Sequence, residues 1–420
     1  MGIDLLGVLV LILLGRSLGI LVSRFGFQSI IGEVGGGMVL GALVVLGLIA
    51  VDSATMSAFS ELGIILVMLL AGIVTDFRAF SQHKKTSIIV GSLGVVVTIG
   101  ISFLPLVWLN LEWLGMDWDR AVISALFIAV IISNTAIEVT AKIFENRSTS
   151  GRLYPILMGA SFVDDIAAAF LIGLVSSLAR SGGAESGLEI ARLSAMVTVF
   201  LLASFLVVSR LVEMLFDRFL GGKEKSEKVL LTATILLAFL FAIAARQFGL
   251  HEVIGAYMAG LVVGRWGSRF GPLLKRRVAW TKLIKEIDPP LRAIFGPLFF
   301  GFIGLTFALI IFQSRPGPLV LPLAALLLGL AVAGKVLGCG LGAKVSGLEK
   351  GDALVVGAAM CGRGALELVL IRYGMEIGLI NAPGFLALVM MTLATMVVTP
   401  VLYTLALRRK KRRAATASSA

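Results

Sequence analysis

Charge is scarce in this chain, and so are cysteine and histidine. Charged residues fill 15% of its 420 positions, against roughly a quarter in soluble globular proteins. That shortfall excludes the two or three soluble domains that the length alone would suggest. It also excludes a disordered chain, which combines much charge with little hydrophobicity. Two cysteines are too few for a disulfide framework. Both, Cys339 and Cys361, lie inside apolar runs and read as small packing residues. The two histidines, His83 and His251, fall at the ends of such runs and read as interface residues.

What is present is apolar. Hydrophobic residues make up 58% of the chain, and the mean hydropathy is +1.01. Only helices or closed barrels span lipid, because every backbone polar group must be satisfied internally. Barrel strands alternate apolar and polar residues. Here the runs are continuous, so the chain is expected to be an all-α polytopic membrane protein. A template of about 20 residues gives thirteen spans: 4–22, 30–50, 57–75, 86–109, 121–144, 153–178, 191–212, 229–247, 251–265, 291–312, 318–344, 352–373 and 384–407. The first lacks a basic start and an Ala-x-Ala pattern, so it reads as a helix rather than a signal peptide. The ninth is short and glycine-rich. The longest inner loop, near 266–290, is basic and contains Pro289-Pro290.

Orientation follows from where Lys and Arg fall. With the N-terminus outside, 28 of the 37 basic residues lie in inner segments and six in outer ones. Arg16, Lys335 and Arg363 remain within spans. The C-terminus is then cytoplasmic. The net charge of +12 is mostly this bias and calls for no nucleic-acid partner. The run Arg408 to Arg413 reads as a juxtamembrane segment that attracts anionic lipid.

Ionisable residues deep in a membrane are costly and usually functional. Span six carries Asp164-Asp165, span five Ser133-Asn134-Thr135 and Glu138, span eleven Lys335, and span twelve Arg363-Gly364 and Glu367. Asp164 lies 11 residues from the inner end of its span, roughly 16 Å at 1.5 Å per residue. Lys335, Thr135 and Arg363 fall at similar depth, near the middle of a roughly 30 Å core. Adjacent aspartates stand about 100° apart on a helix, so one meets a fixed cation while the other faces a cavity. Spans five and twelve are broken by polar and glycine residues at this level. Such breaks free half-helix ends and carbonyls, as transporter ion sites do. Glu138 and Arg363 offset the partial charges of those ends. Four carboxylates, Asp164, Asp165, Glu138 and Glu367, face two cations in this layer. The layer favours a small cation, with protons competing for the same groups. An intramembrane aspartyl protease would need two aspartates on different helices, so an enzyme is not expected. A channel would show flux uncoupled from pH.

These residues resemble, in order along nearly the whole chain, the monovalent cation:proton antiporter-2 family. The matching segments are Ile30-Ile31-Gly32-Glu33 with Gly35, Gly37 and Gly41; Glu61-Leu62-Gly63; Ser133-Asn134-Thr135-Ala136; Asp164-Asp165; Ile254-Gly255-Ala256-Tyr257-Met258-Ala259-Gly260; Pro297-Leu298-Phe299-Phe300; Gly334-Lys335; and Arg363-Gly364 with Glu367. The paired aspartates followed by the lysine form the most specific part.

The resemblance implies two inverted five-helix repeats with crossed broken helices. It implies scaffold and dimerisation helices at 1–79 and 229–315, and core helices at 80–180 and 316–407. A linker helix and inner loop would lie at 181–228, and the basic cytoplasmic tail at 408–420. Asp165 is then the main cation and proton carboxylate. Asp164 pairs with Lys335 and releases it when the cation binds, and Thr135 and Asn134 complete the site. The Asp-Asp form resembles electrogenic exchangers, with sodium or lithium favoured and potassium as the alternative. Alternating access in a homodimer of the bacterial inner membrane is implied, with no cofactor. Two departures stand out: Gly72-Ile73 is followed by Val74-Thr75-Asp76, and Glu138 stands where relatives usually have an uncharged residue.

Overall fold

The structure, a computed structural model, describes residues 4–75, 77–112, 115–136, 152–180, 187–220, 226–268, 274–314 and 317–418. All regular structure among them is helical. In chain order the helices are α1 (Leu5–Arg24), α2 (Ser29–Val45), α3 (Ser53–Ile73), α4 (Phe77–Gln82), α5 (Lys84–Glu112), α6 (Trp118–Ser133), α7 (Leu153–Arg180), α8 (Gly187–Ala203), α9 (Ser209–Leu220), α10 (Ser226–Gln247), α11 (Glu252–Ser268), α12 (Leu274–Pro290), α13 (Gly296–Ser314), α14 (Val320–Val345), α15 (Lys350–Ala359), α16 (Ala365–Glu376) and α17 (Ala382–Ser418).

Nine helical segments among the described residues are long and apolar enough to cross a membrane. Four of the thirteen expected spans are shorter than that. The second is the apolar helix α2, of 17 residues. The fifth is helical from Trp118 to Ser133 and non-helical at 134–136, and its remaining positions lie outside the described residues. The ninth is α11, also of 17 residues. The twelfth is two short helices, α15 and α16, parted by residues 360–364.

The loop expected near 266–290 is corrected. Residues 274–290 are α12, which carries both prolines at its end and continues through a π turn, Leu291–Phe295, into α13. Prolines have no N–H to donate, so the hydrogen-bond ladder re-registers there instead of ending. A second π turn, Ser204–Val208, joins α8 to α9. The freed Phe205 carbonyl accepts from the Arg265 guanidinium at 2.6 Å.

The chain divides into two compact units, residues 1–77 with 186–315 and residues 78–185 with 316–420. In the first, α2 packs on α1 and α13 through glycine. A Cβ at Gly37 would overlap the Gly301 carbonyl, and one at Gly304 would overlap that of Val34. Without a hydrophobic drive between helices in lipid, such close approach is what holds them. Asp4 and Asp52 cap α1 and α3, accepting from Gly7 N at 2.9 Å and Thr55 N at 3.1 Å.

The second unit holds the residues singled out above. α5 lies along α14 and α7, while α15 packs against both α14 and α17. Gly334, Gly338 and Gly342 of α14 leave room for Thr98, Leu93–Gly94 and Val90 of α5. An apolar cluster that includes Val356, Met360 and Tyr403 closes around the inner part of α15.

Candidate functional site

Two helices stop short in the second unit, and each stop has a local cause. α6 ends at Ser133, where three polar residues offer the backbone side-chain alternatives to the helix. The Ser133 hydroxyl turns back onto the Val130 carbonyl at 2.8 Å, and Asn134 is extended, with φ −74° and ψ 156°. α15 ends at Ala359 and gives way to Met360-Cys361-Gly362-Arg363-Gly364 before α16 starts. The two non-helical stretches touch: Ala136 N donates to the Gly362 carbonyl at 3.0 Å. Gly364 is required by this approach, because a Cβ there would stand 2.6 Å from that of Ala136.

Arg363 is fully buried, and its guanidinium faces carbonyls. It donates to Cys361 O at 2.5 Å, Ala331 O at 3.3 Å, Met360 O at 3.4 Å and Ile132 O. Ile132 lies in the last turn of α6, and Met360 and Cys361 follow α15. A fixed cation thus meets the partial negative charge of two helix C-termini. At the opposite end of the break Glu367, also buried, accepts from Gly364 N at 2.6 Å and so caps the first turn of α16. Arg363 thus stands on carbonyls and Glu367 on a helix N-terminus. Glu138 lies outside the described residues.

α7 and α14 bring the ion pair. Lys335 Nζ donates to Asp164 Oδ2, and both side chains are fully buried. Gly94 of α5 makes the niche: a Cβ there would sit 2.5 Å from Cys339 Sγ and 3.4 Å from Lys335 Nζ. Ser161, one turn before Asp164 on the same face of α7, donates to Met360 Sδ at 3.6 Å and so ties α7 to the break. The Thr135 hydroxyl donates to the Met360 carbonyl at 2.9 Å. Asp165 is 5% exposed, and Asn134 and Thr135 are fully buried. Among the described residues, Asp164 Oδ1 and both polar atoms of the Asn134 amide are buried with no hydrogen-bond partner in reach. Buried polar groups are rarely left so.

Asn134, Thr135, Asp164, Asp165, Lys335, Arg363 and Glu367 thus all fall within one unit. Sequence reasoning missed Met360, whose carbonyl and sulfur each accept a bond, and Thr395 of α17. The Thr395 hydroxyl accepts from Arg363 N at 3.2 Å. Its only sequence signal was a threonine in an apolar run. Gly94 had none. Chemically, the arrangement can hold a small cation or protons on carboxylates that sit beside an internal ammonium.

Known proteins resemble this chain along nearly its whole length. The family described as sodium/hydrogen exchanger, transmembrane, matches residues 8–409. The chain is 26% identical over 392 residues to the Na(+)/H(+)-K(+) antiporter GerN of Bacillus cereus, covering 93% of each. It is 26% identical over 404 residues to the Na(+)/H(+) antiporter of Enterococcus hirae, covering 95% of this chain and 97% of that protein. The fold is similar to that of the sodium proton antiporter MjNhaP1 from Methanocaldococcus jannaschii, with a TM-score of 0.70 at 15% identity over 94% of this chain and 96% of that one. With the sequence pattern, the helical fold and these likenesses in agreement, the chain belongs to the sodium/hydrogen exchanger family of membrane proteins.

Proposed function

We propose that the protein is a secondary active antiporter that exchanges a monovalent cation for protons by alternating access. The observation that carries this reading is the buried Asp164–Lys335 pair beside two interrupted helices. Asp165 is the main cation and proton carboxylate. Asp164 releases Lys335 when the cation arrives, and Thr135, Asn134 and nearby carbonyls complete the coordination. Arg363 and Glu367 hold the half-helix ends while the charge in the site changes. Cation and proton compete for one set of carboxylates, so exchange needs no separate coupling device.

Sodium or lithium is the favoured cation, and exchange is electrogenic, on the strength of the paired aspartates. Potassium is the alternative, since the name of the Bacillus relative carries both ions. In this reading the unit of residues 78–185 and 316–420 is the mobile core. The other unit supplies the scaffold and the homodimer contact, and segment 181–228 links the two. The N-terminus is outside and the C-terminus cytoplasmic, in a bacterial inner membrane.

The test is proton movement in reconstituted vesicles with an imposed pH gradient. Sodium, lithium and potassium are compared with voltage clamped or free. Wild type is expected to couple sodium or lithium to protons, and Asp165→Asn to fall to background. Unimpaired coupling in Asp165→Asn would sink the site assignment. Cation flux indifferent to pH in the wild type would replace the antiporter with a channel.

A further inference from the structure

One end of the unit formed by residues 78–185 and 316–420 gathers basic side chains from three mutually packed helices. Lys344 in the last turn of α14, Lys350 at the start of α15, and Arg408, Arg409 and Lys411 of α17 are all exposed. Lys410 differs. Its ammonium donates to Asp352 Oδ1 in the first turn of α15 at 2.5 Å. Its stem lies over Gly351, where a Cβ would stand 2.9 Å from Lys410 Cγ. The basic run is therefore a continuation of α17 pinned to α15. The pin also occupies Asp352, a carboxylate that would otherwise weaken the field of the exposed cations.

Next to this collar lies apolar surface of matching shape. On α17, Val397, Val401 and Leu405 are 38%, 56% and 55% exposed. Spaced by four, they form one stripe that leads into Arg408 and Arg409. On α14, Leu337, Leu341 and Val345 are 51%, 48% and 70% exposed, and they form a second stripe that ends beside Lys344. Each stripe runs about 12 Å along its helix, close to the roughly 15 Å depth of one leaflet of the hydrocarbon core. Two aliphatic stripes under a cationic collar match two acyl chains and an anionic headgroup.

We propose that this collar binds the headgroup of an anionic phospholipid, with the acyl chains against α14 and α17. The lipid would sit at the N-terminal end of α15, the half-helix that is followed by Met360 and Cys361 at the break. The Lys410–Asp352 contact fixes the collar against that half-helix. Basic clusters next to a membrane gain about 1 kcal/mol per Lys or Arg from anionic lipid, roughly a fivefold change in binding for each.

The test uses the full-length protein in neutral detergent. It is titrated with short-chain phosphatidylglycerol, short-chain phosphatidylcholine or inorganic phosphate, and thermal stability is the readout. Phosphatidylglycerol is expected to raise Tm, and the other two are not. Arg408→Gln/Arg409→Gln/Lys411→Gln should weaken the midpoint on the order of 100-fold. Lys344→Gln/Lys350→Gln, on different helices, should weaken it in the same direction and guards against misfolding of the first variant. Arg210→Gln/Arg218→Gln/Lys282→Gln/Lys285→Gln removes four exposed charges from the other unit and should leave the midpoint unchanged. Undiminished binding in both collar variants would overturn the proposal, as would equal loss in the four-charge control. Equal stabilisation by inorganic phosphate would overturn the lipid as occupant. Because the readout is binding, failure here leaves the antiport reading standing.

Discussion

The two compact units are built from the same apolar material and treat charge in opposite ways. Both rely on glycine for close packing, Gly37 and Gly304 in one and Gly334 and Gly338 in the other. Among the described residues, however, the unit of 1–77 and 186–315 buries a single Asp, Glu, Lys or Arg side chain, Glu33 at 3% exposed. The other buries Asp164, Asp165, Lys335, Arg363, Glu367 and Arg372. Close packing is what any helix bundle in lipid needs, whereas buried charge is expensive and persists where function uses it. Glycine therefore marks the membrane fold in both units, and clustered charge sets apart the one proposed as the mobile core.

The largest expected effect that would test this contrast is at Arg363. Arg363→Ala leaves the carbonyls of Ile132, Ala331, Met360 and Cys361 without their cation. We expect a stability loss of at least about 3 kcal/mol and loss of coupled exchange. Arg363→Lys should recover only part of both, because an ammonium cannot reproduce the planar guanidinium fork. Glu33→Gln in the other unit should lower thermal stability without abolishing exchange. If Glu33→Gln removed exchange as completely as Arg363→Ala, the division into a charged working unit and a packing unit would fail.

Glycine substitutions follow in size and sharpen the other half of the contrast. Gly304→Ala would drive a Cβ into the Val34 carbonyl, and overpacking of this kind costs about 1–3 kcal/mol. Gly35, on the same helix as Gly37, has nothing within 4 Å of a built Cβ. Gly35→Ala should be neutral or stabilising by up to about 1 kcal/mol through helix propensity. Thermal unfolding in detergent separates the two. A matching loss at Gly35 would show that its place in the Gly-rich run reflects something other than helix contact within this unit.

The helices and the layer of buried polar residues were legible because lipid leaves so little freedom. A continuous apolar run has to be helical, and Asp164, Lys335 and Arg363 stand out against it. The breaks were legible too, since Ser133-Asn134-Thr135 and Gly362-Arg363-Gly364 interrupt such runs. What the buried groups contact was not. Arg363 reaches the carbonyl of Ile132, 231 positions away, and no side-chain pattern announces a carbonyl. Among the described residues the Arg363 guanidinium is met by backbone carbonyls, and Glu138 lies outside them. The π turns Ser204–Val208 and Leu291–Phe295 were invisible for a related reason: re-registering a helix leaves its apolar composition unchanged. The basic stretch near 266–290 reads as a loop between spans, whereas residues 274–290 are helical and the ladder re-registers after Pro289-Pro290 through a π turn.

The smallest effect concerns a charge outside the buried layer. Asp52 is exposed at the start of α3 and accepts from the Thr55 hydroxyl at 2.5 Å, Thr55 N at 3.1 Å and Ala54 N at 3.3 Å. These contacts, led by the Thr55 hydroxyl, hold its carboxyl below the ordinary value of 3.8. A depressed folded-state pKa means that the carboxylate stabilises the fold fully above the unfolded value, and that this contribution is lost as pH falls through the folded one. Asp52→Asn keeps an acceptor for the cap and removes the charge. Its Tm should lie slightly below that of the wild type at neutral pH, and the gap should hold down to about pH 4 and close below it. Identical Tm values at pH 7 would show that charge on this cap contributes nothing. The charge of this cap would then add nothing to the first unit, which would widen the contrast with the second.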